Sequence, residues 1–121
     1  MERIDTILLN KALASAFVAG PGEPKKNENK RLYGTWGYEN QWYSGINIQW
    51  FFYPDNSWEL HMYNTIRLRG SYFEYIGNTW NGGIVAMTID LSNGDKKMRL
   101  INESMGFRLL TGAYIKTAEN P

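Results

Sequence analysis

The chain has 121 residues, enough for one domain, and its formal net charge of +1 argues against nucleic acid or an acidic membrane as the main partner. It contains no Cys, which excludes disulfides, thiolate metal sites and a Cys nucleophile. Aromatic residues are abundant, with 5 Trp, 8 Tyr and 5 Phe. Because such residues favour strands and pack large areas, the composition predicts an all-β domain.

Residues 1–20 form an apolar N-terminal segment that has two interpretations. As a helix, the segment would align Ile4 and Leu8 on one stripe and cover a barrel mouth. As a signal-like remnant, its small residues are typical of the region before a secretion cleavage site, although Pro21 stands where a lipoprotein would have its lipidated Cys. No stretch reaches the roughly 20 apolar residues of a membrane-spanning helix.

Residues 21–30 are rich in Pro, Gly and charge and are expected to be a flexible linker before a β domain at 31–117. In the β domain, apolar and polar residues alternate as they do on strands with one buried face. The pattern predicts seven strands, at about 32–38, 46–52, 58–63, 66–76, 84–91, 96–102 and 107–116. Turn residues separate them at 54–57, 93–94 and 104–106. This spacing predicts a small antiparallel meander, closed into a barrel or folded as a sandwich.

The sequence Leu-Tyr-Gly-Thr-Trp at 32–36 resembles the opening strand motif of the lipocalins and their wider calycin superfamily. The chain looks closest to the short bacterial lipocalin-like domains, in which a Gly-x-Tyr strand comes later; Gly70-Ser71-Tyr72 would be that element. The resemblance covers 31–116 and implies a small lipocalin-like β-barrel. Together with the signal-like N-terminus, it implies a periplasmic or surface-tethered place in the cell envelope; the alternative is the cytoplasm.

The resemblance also implies how the barrel is closed. In that family the Trp of the motif lies at the closed end and stacks under a basic side chain from the last strand, so Trp36 would be the floor of the barrel. A cation over an indole contributes on the order of 0.5–2 kcal/mol, and Gly34 would permit close backbone approach. Two residues could supply the cation: Lys116 at the end of the last predicted strand and Arg108 at its start.

The predicted function is non-enzymatic binding of a small hydrophobic or aromatic ligand inside the barrel. Two loop aromatics would lie near the mouth, and Glu74 would meet a polar ligand group if its strand face points inward. A bulge at Gly70 would instead send Phe73 and Tyr75 inward. The expected ligand-binding residues are Trp50, Phe52, Trp58, Leu60, Met62, Tyr72, Met87, Trp42, Tyr43 and Glu74.

The alternative function is a barrel plugged by its own side chains that binds a protein or carbohydrate at the cell envelope. Its contact residues would be outward-facing or loop aromatics, namely Tyr33, Tyr43, Phe51, Tyr53 and Tyr63.

Catalysis and cofactor binding are not expected from the sequence. It has no nucleophile placed beside a base and no phosphate-binding loop. His61 has only Glu59 as a nearby ligand on its strand face, so no metal ion or other cofactor is expected. Arg67 and Arg69 are expected to be solvated rather than part of a nucleic-acid site, and the protein is expected to be a monomer.

Overall fold

The computed structural model describes residues 26–102 and 110–121. Within these ranges the fold is nearly all β, with one sheet of 9 strands, a 3-10 turn at Asn29–Leu32 and a single helical turn, α1, at Gln41–Ser44. The strands are β1 Gly34–Tyr38, β2 Ile48–Phe52, β3 Trp58–Met62, β4 Thr65–Gly70, β5 Glu74–Ile76, β6 Thr79–Asn81, β7 Ala86–Ser92, β8 Lys97–Ile101 and β9 Gly112–Ala118. None of the helices described is long and apolar enough to cross a membrane.

The strands form an antiparallel meander that returns to its start. The order in the sheet is β4-β3-β2-β1-β9-β8-β7-β6-β5, and β9 pairs with β1 so that Lys116 lies opposite Trp36. The sheet therefore curls into a half-barrel, which confirms the predicted antiparallel meander without the full closure of a barrel. Its two edges are β4 and β5, which follow each other in the chain but do not pair. We call the opening between these two edges the seam.

The inward face of the sheet forms one hydrophobic core. Strict alternation on β2 buries Ile48, Trp50 and Phe52, because a strand that is covered on one face buries every second residue. The same rule buries Trp58 and Leu60 on β3. The predicted turn at 93–94 is confirmed and joins β7 to β8, with Asn93 and Gly94 at φ 54° and 64°. The predicted turn at 104–106 lies outside the described residues.

The single strand predicted at 66–76 is two strands, and the alternation of inward and outward side chains changes between them. β4 ends at Gly70, and the chain leaves the ladder until Phe73, whose N–H donates to Asn56 O at 2.9 Å. Phe73 and Tyr75 are buried, whereas Tyr72 is 50% exposed and Glu74 is exposed, so the expected interior position of Tyr72 is wrong. The inward turn of Phe73 and Tyr75 is the alternative that the sequence left open. The register shift on β4, however, lies between Ile66 and Leu68 rather than at Gly70.

The segment before β1 covers the outer edge of β5. Asn27 bridges to Ile76, and Glu28 N donates to Tyr75 O at 2.7 Å. Asn29 is buried, where its Oδ1 accepts a hydrogen bond from Tyr75 N at 2.7 Å and its Nδ2 donates to Phe73 O at 2.8 Å. The described end of the predicted linker thus packs against the sheet and occupies the hydrogen-bonding groups of one of its edges.

The start of β1 depends on a glycine. Gly34 has φ of +136°, and a Cβ there would lie 2.4 Å from Ala118 O. We expect Gly34→Ala to lower the free energy of unfolding by more than about 1 kcal/mol, because backbone strain and a clash with backbone add together. Gly37→Ala is the matched control on the same strand, since a Cβ at Gly37 meets only Thr117 Cγ2 at 3.5 Å. Equal losses in denaturant unfolding would contradict this explanation.

Candidate functional site

The interior holds the predicted ligand-binding residues that come from β2, β3 and β7. Their exposed fractions do not exceed 4%, apart from Met62, which is partly buried and packs against the others. These residues are Trp50, Phe52, Trp58, Leu60, Met62 and Met87. Tyr43, Tyr72 and Glu74 do not join them: Tyr43 is 91% exposed on α1, and Tyr72 and Glu74 are exposed beside the seam end of β5. Trp42 belongs to α1, and its side chain lies outside what the structure describes.

Trp80 on β6 is the centre of the interior aromatic packing. Its ring centroid lies 5.1 Å from Trp58, 5.7 Å from both Phe52 and Phe73, and 5.9 Å from Trp50. Offset and edge-on ring pairs at these distances are favourable. Trp80 was not among the predicted interior residues, although the even spacing of Trp36, Trp58 and Trp80 along the chain is a signal that pointed to it.

Two indole N–H groups of the core differ in their hydrogen bonding. Trp58 Nε1 donates to Gly82 O at 3.2 Å. Trp80 Nε1 is buried and has no hydrogen-bond partner among residues 26–102 and 110–121. A buried donor without an acceptor costs about 1–3 kcal/mol, so an acceptor placed beside Trp80 would bind there favourably.

Between β1 and β9 the structure has the stacking contact that the family resemblance implied. Lys116 Nζ lies 5.1 Å from the centroid of the fully buried Trp36 ring, and Trp36 Nε1 donates to Leu32 O at 2.9 Å. Burial, helped by the nearby Lys96, holds the pKa of Lys116 below its ordinary value. The structure thus puts Lys116 in the place of the stacking cation. Arg108, the other candidate, lies outside the described residues.

Removing the Trp36 ring tests its part in the core. We expect Trp36→Ala to lower the free energy of unfolding by about 3–5 kcal/mol, as other large truncations in cores do. Tyr43→Ala is the control, because Tyr43 is 91% exposed and its removal should change stability little. An unchanged melting temperature for Trp36→Ala would show that Trp36 is not the floor of the fold.

A hydrogen-bonded cluster lies on the outer face of β2 and β3. Glu59 Oε1 accepts a hydrogen bond from Tyr53 Oη at 3.1 Å and lies 2.9 Å from His61 Nε2. The His61 ring packs on Phe51 with centroids 4.2 Å apart. Residues 26–102 and 110–121 contain no group of three His, Cys, Asp or Glu side chains that could hold a metal ion. The cluster therefore joins a carboxylate, an imidazole and a phenol on the outer face of the sheet.

This cluster predicts an acid-sensitive contribution to stability. The hydrogen bond with His61 is the main reason why the pKa of Glu59 lies below its ordinary value of 4.5, while burial opposes the shift. The stabilisation is therefore present above pH 4.5 and is lost as pH falls through the lowered pKa of Glu59. We expect Glu59→Gln to remove part of the acid dependence of the unfolding free energy, whereas Glu74→Gln, on an exposed carboxyl, should keep it. Parallel pH profiles for Glu59→Gln and the parent protein would contradict this.

The seam carries exposed apolar side chains from three segments: β4, the connection from β4 to β5, and the loop between β6 and β7. Ile66 on β4 is 45% exposed, Tyr72 is 50% exposed, and Ile84, in the loop between β6 and β7, is 63% exposed. A groove of about 450 Å³ is lined by Ile66, Arg67, Leu68, Arg69 and Ile84. A second groove of about 560 Å³ is lined by Arg69, Gly70, Ser71, Tyr72, Glu74, Asn81, Gly82, Gly83 and Ile84. The two grooves share Arg69 and Ile84 and so adjoin each other.

Two glycines bring the seam together at one end. A Cβ at Gly70 would lie 2.2 Å from Trp58 Nε1 and 3.1 Å from Gly82 O. A Cβ at Gly82 would lie 2.3 Å from Trp80 Cη2. The backbone can therefore pass directly over the Trp58 and Trp80 rings at this end, which leaves the exposed apolar residues along the rest of the opening.

The outward-facing and loop aromatic residues that the alternative function would use for contact do not form one exposed group. Tyr43 and Tyr63 are 91% and 56% exposed, whereas Tyr33, Phe51 and Tyr53 are only partly exposed. Tyr33 Oη donates to Asn56 Oδ1 at 2.6 Å, so this phenol is part of a structural contact. Sequence reasoning missed the seam, because it depends on Ile84 meeting β4 from across the opening.

The chain matches no protein-family model, no curated protein and no solved structure.

Proposed function

We propose that this protein is a non-enzymatic interaction module, a filled half-barrel that binds a partner protein at the seam. The observation that carries the proposal is the grouping of Ile66, Tyr72 and Ile84, which are 45%, 50% and 63% exposed along adjoining grooves. Grouped apolar side chains on a soluble domain are typical of protein contact sites, whereas single exposed ones are ordinary.

The packing of the interior supports a binding site on the outside. Trp80 contacts four other rings, and all five are fully buried. A ligand entering between them would have to displace rings that already pack at favourable distances, and protein cores resist such overpacking. The same residues therefore serve as a core that keeps the seam rigid.

A lipocalin-like origin fits this proposal. The curled antiparallel meander, the Leu-Tyr-Gly-Thr-Trp opening and the Trp36–Lys116 stack are all compatible with a calycin barrel. With the signal-like residues 1–20, they support a place in the cell envelope, where the module would bind another envelope protein.

A second candidate function is binding of a small apolar ligand in the interior, and the unpaired Trp80 Nε1 favours it. Such a ligand would need a hydrogen-bond acceptor to reach this donor, in addition to an apolar body. It would also need movement of the rings around Trp80.

One titration separates the two candidates. We propose adding an anilinonaphthalene sulfonate dye while recording both dye fluorescence and the NMR signals of the Trp indole N–H groups. For seam binding, we expect the Trp80 N–H signal to stay unchanged and the double variant Ile66→Ser, Ile84→Ser to weaken dye binding severalfold. Tyr63→Ser is the control, because it removes an exposed aromatic away from the seam.

The opposite pattern would overturn the seam site. A Trp80 N–H signal that shifts with one dye per chain, together with loss of binding in Trp80→Phe but not in the seam variant, would establish the interior site instead. Dye binding that is the same in the seam variant, in Trp80→Phe and in the parent protein would exclude both the seam and the interior as the dye site.

A further inference from the structure

We propose that the partner binds by adding an extended acidic segment, as an antiparallel strand, to the outer edge of β4. This inference rests on the proposed function at the seam and specifies the form and charge of the segment that the seam accepts. It follows from the two edges of the sheet, the arginines of β4 and the apolar groove beside them.

The two edges of the sheet are treated differently. The edge at β5 is covered by residues 27–29, because Tyr75 O accepts from Glu28 N and Tyr75 N donates to the Asn29 side chain. No described residue forms a strand beside the outer edge of β4. An uncovered edge presents N–H and C=O groups that can pair with another extended chain.

The pairing of β3 indicates which groups of β4 are free. The bonds Tyr53 N to Ser57 O and Tyr63 N to Asn47 O put the odd-numbered residues of β3 in hydrogen-bonded pairs with β2. The even-numbered residues of β3 then bond to β4, where they face Gly70 and Leu68. Arg69 lies between these two and directs its N–H and C=O away from β3. Arg67 has no partner in the β3–β4 register, which shifts there.

The charges beside this edge select an acidic occupant. Arg67 and Arg69 are both exposed, and neither forms an ion pair with a described residue. Glu59, opposite Arg69 on β3, already accepts hydrogen bonds within its own cluster. A second copy of β4 on this edge would bring arginines against arginines, so like-charge repulsion disfavours self-pairing.

The groove beside β4 indicates which kind of residue should stand between the two acidic residues of the added strand. Leu68 lies opposite the buried Leu60 and so points away from Arg69, whereas Ile66 lies opposite His61 on the outer face. Both line the groove of about 450 Å³ together with Ile84 and the two arginines. A residue of the added strand that faces away from Arg69 would contact Leu68. The preferred segment therefore alternates acidic and apolar residues, with two acids separated by one apolar residue.

The test uses a peptide of this pattern and the full-length protein. We propose measuring by fluorescence anisotropy the binding of a labelled, acetylated and amidated peptide Thr-Val-Glu-Val-Glu-Val-Thr. We expect saturable binding that weakens with added salt, because the charged contacts are exposed. Methylating the backbone nitrogens of both Glu residues should weaken binding by about tenfold or more, since it removes edge hydrogen bonds and keeps both carboxylates.

A charge exchange provides the matched control. We expect Arg67→Glu to weaken binding of the acidic peptide about fivefold and Arg67→Lys to change it little. The peptide with Lys in place of both Glu should show the reverse preference, binding Arg67→Glu better than the parent protein. Arg99→Glu, on β8 away from the seam, should bind the acidic peptide like the parent protein.

Two results would overturn the inference. If the N-methylated peptide binds as well as the unmodified one, the arginines attract acids without strand addition. If no peptide binds and the double variant Arg67→Ala, Arg69→Ala self-associates, the arginines only protect the edge against pairing. In either case, dye binding that the variants at Ile66 and Ile84 still weaken would leave the proposed seam site standing.

Discussion

The packing of aromatic rings around Trp80 is the contact on which the rest of this structure depends. Trp80 comes from the three-residue strand β6, which is too short to be stable by its own pairing. Its ring joins β2 and β3 to the connection between β4 and β5 through contacts with Trp50, Phe52, Trp58 and Phe73. The two sides of the seam are thus held by side chains where backbone hydrogen bonds are missing. A half-barrel that lacks one ladder can therefore still be rigid.

The sheet manages its two edges in different ways, and this difference supports the location of the functional proposals. Residues 27–29 satisfy the groups of β5: Glu28 N donates to Tyr75 O, and the buried Asn29 side chain accepts from Tyr75 N, so no additional full strand is needed. β4 instead has exposed arginines and a register shift. These two features disfavour nonspecific pairing with other strands but leave the backbone N–H and C=O groups of the edge available. The same features that protect such an edge also set the charge that a specific partner must have.

The sequence predicted the fold class and half of the interior well. Alternation on β2 and β3 and the turn at 93–94 follow from local patterns that the structure keeps. The contact of Trp36 with the last strand was instead implied by the family resemblance. Tyr72 was misplaced because counting alternate residues fails where a register shifts and where three residues leave the ladder. β6 was missed because three residues are too few to show a period.

The seam and Asn29 required the three-dimensional structure. The hydrogen-bond partners of Asn29 at the edge of the sheet are 44 and 46 residues away in the chain. The residues next to Asn29 in the sequence, rich in Pro, Gly and charge, indicated only a linker. Ile84 has no local pattern that distinguishes it from an ordinary exposed residue, and its importance comes from lying across the opening from β4. Such residues are defined by what the fold brings beside them.

The connection between β4 and β5 gives the seam a direction. Gly70 and Glu74 are separated by four Cα–Cα steps, so the two edges cannot be more than about 15 Å apart at that end, whatever the rest of the chain does. Residues 71–73 therefore bound the opening at this end, and it extends from there along β4 toward Thr65. A strand added to β4 could not continue past this connection, so the length of the insert is limited by geometry as well as by its sequence.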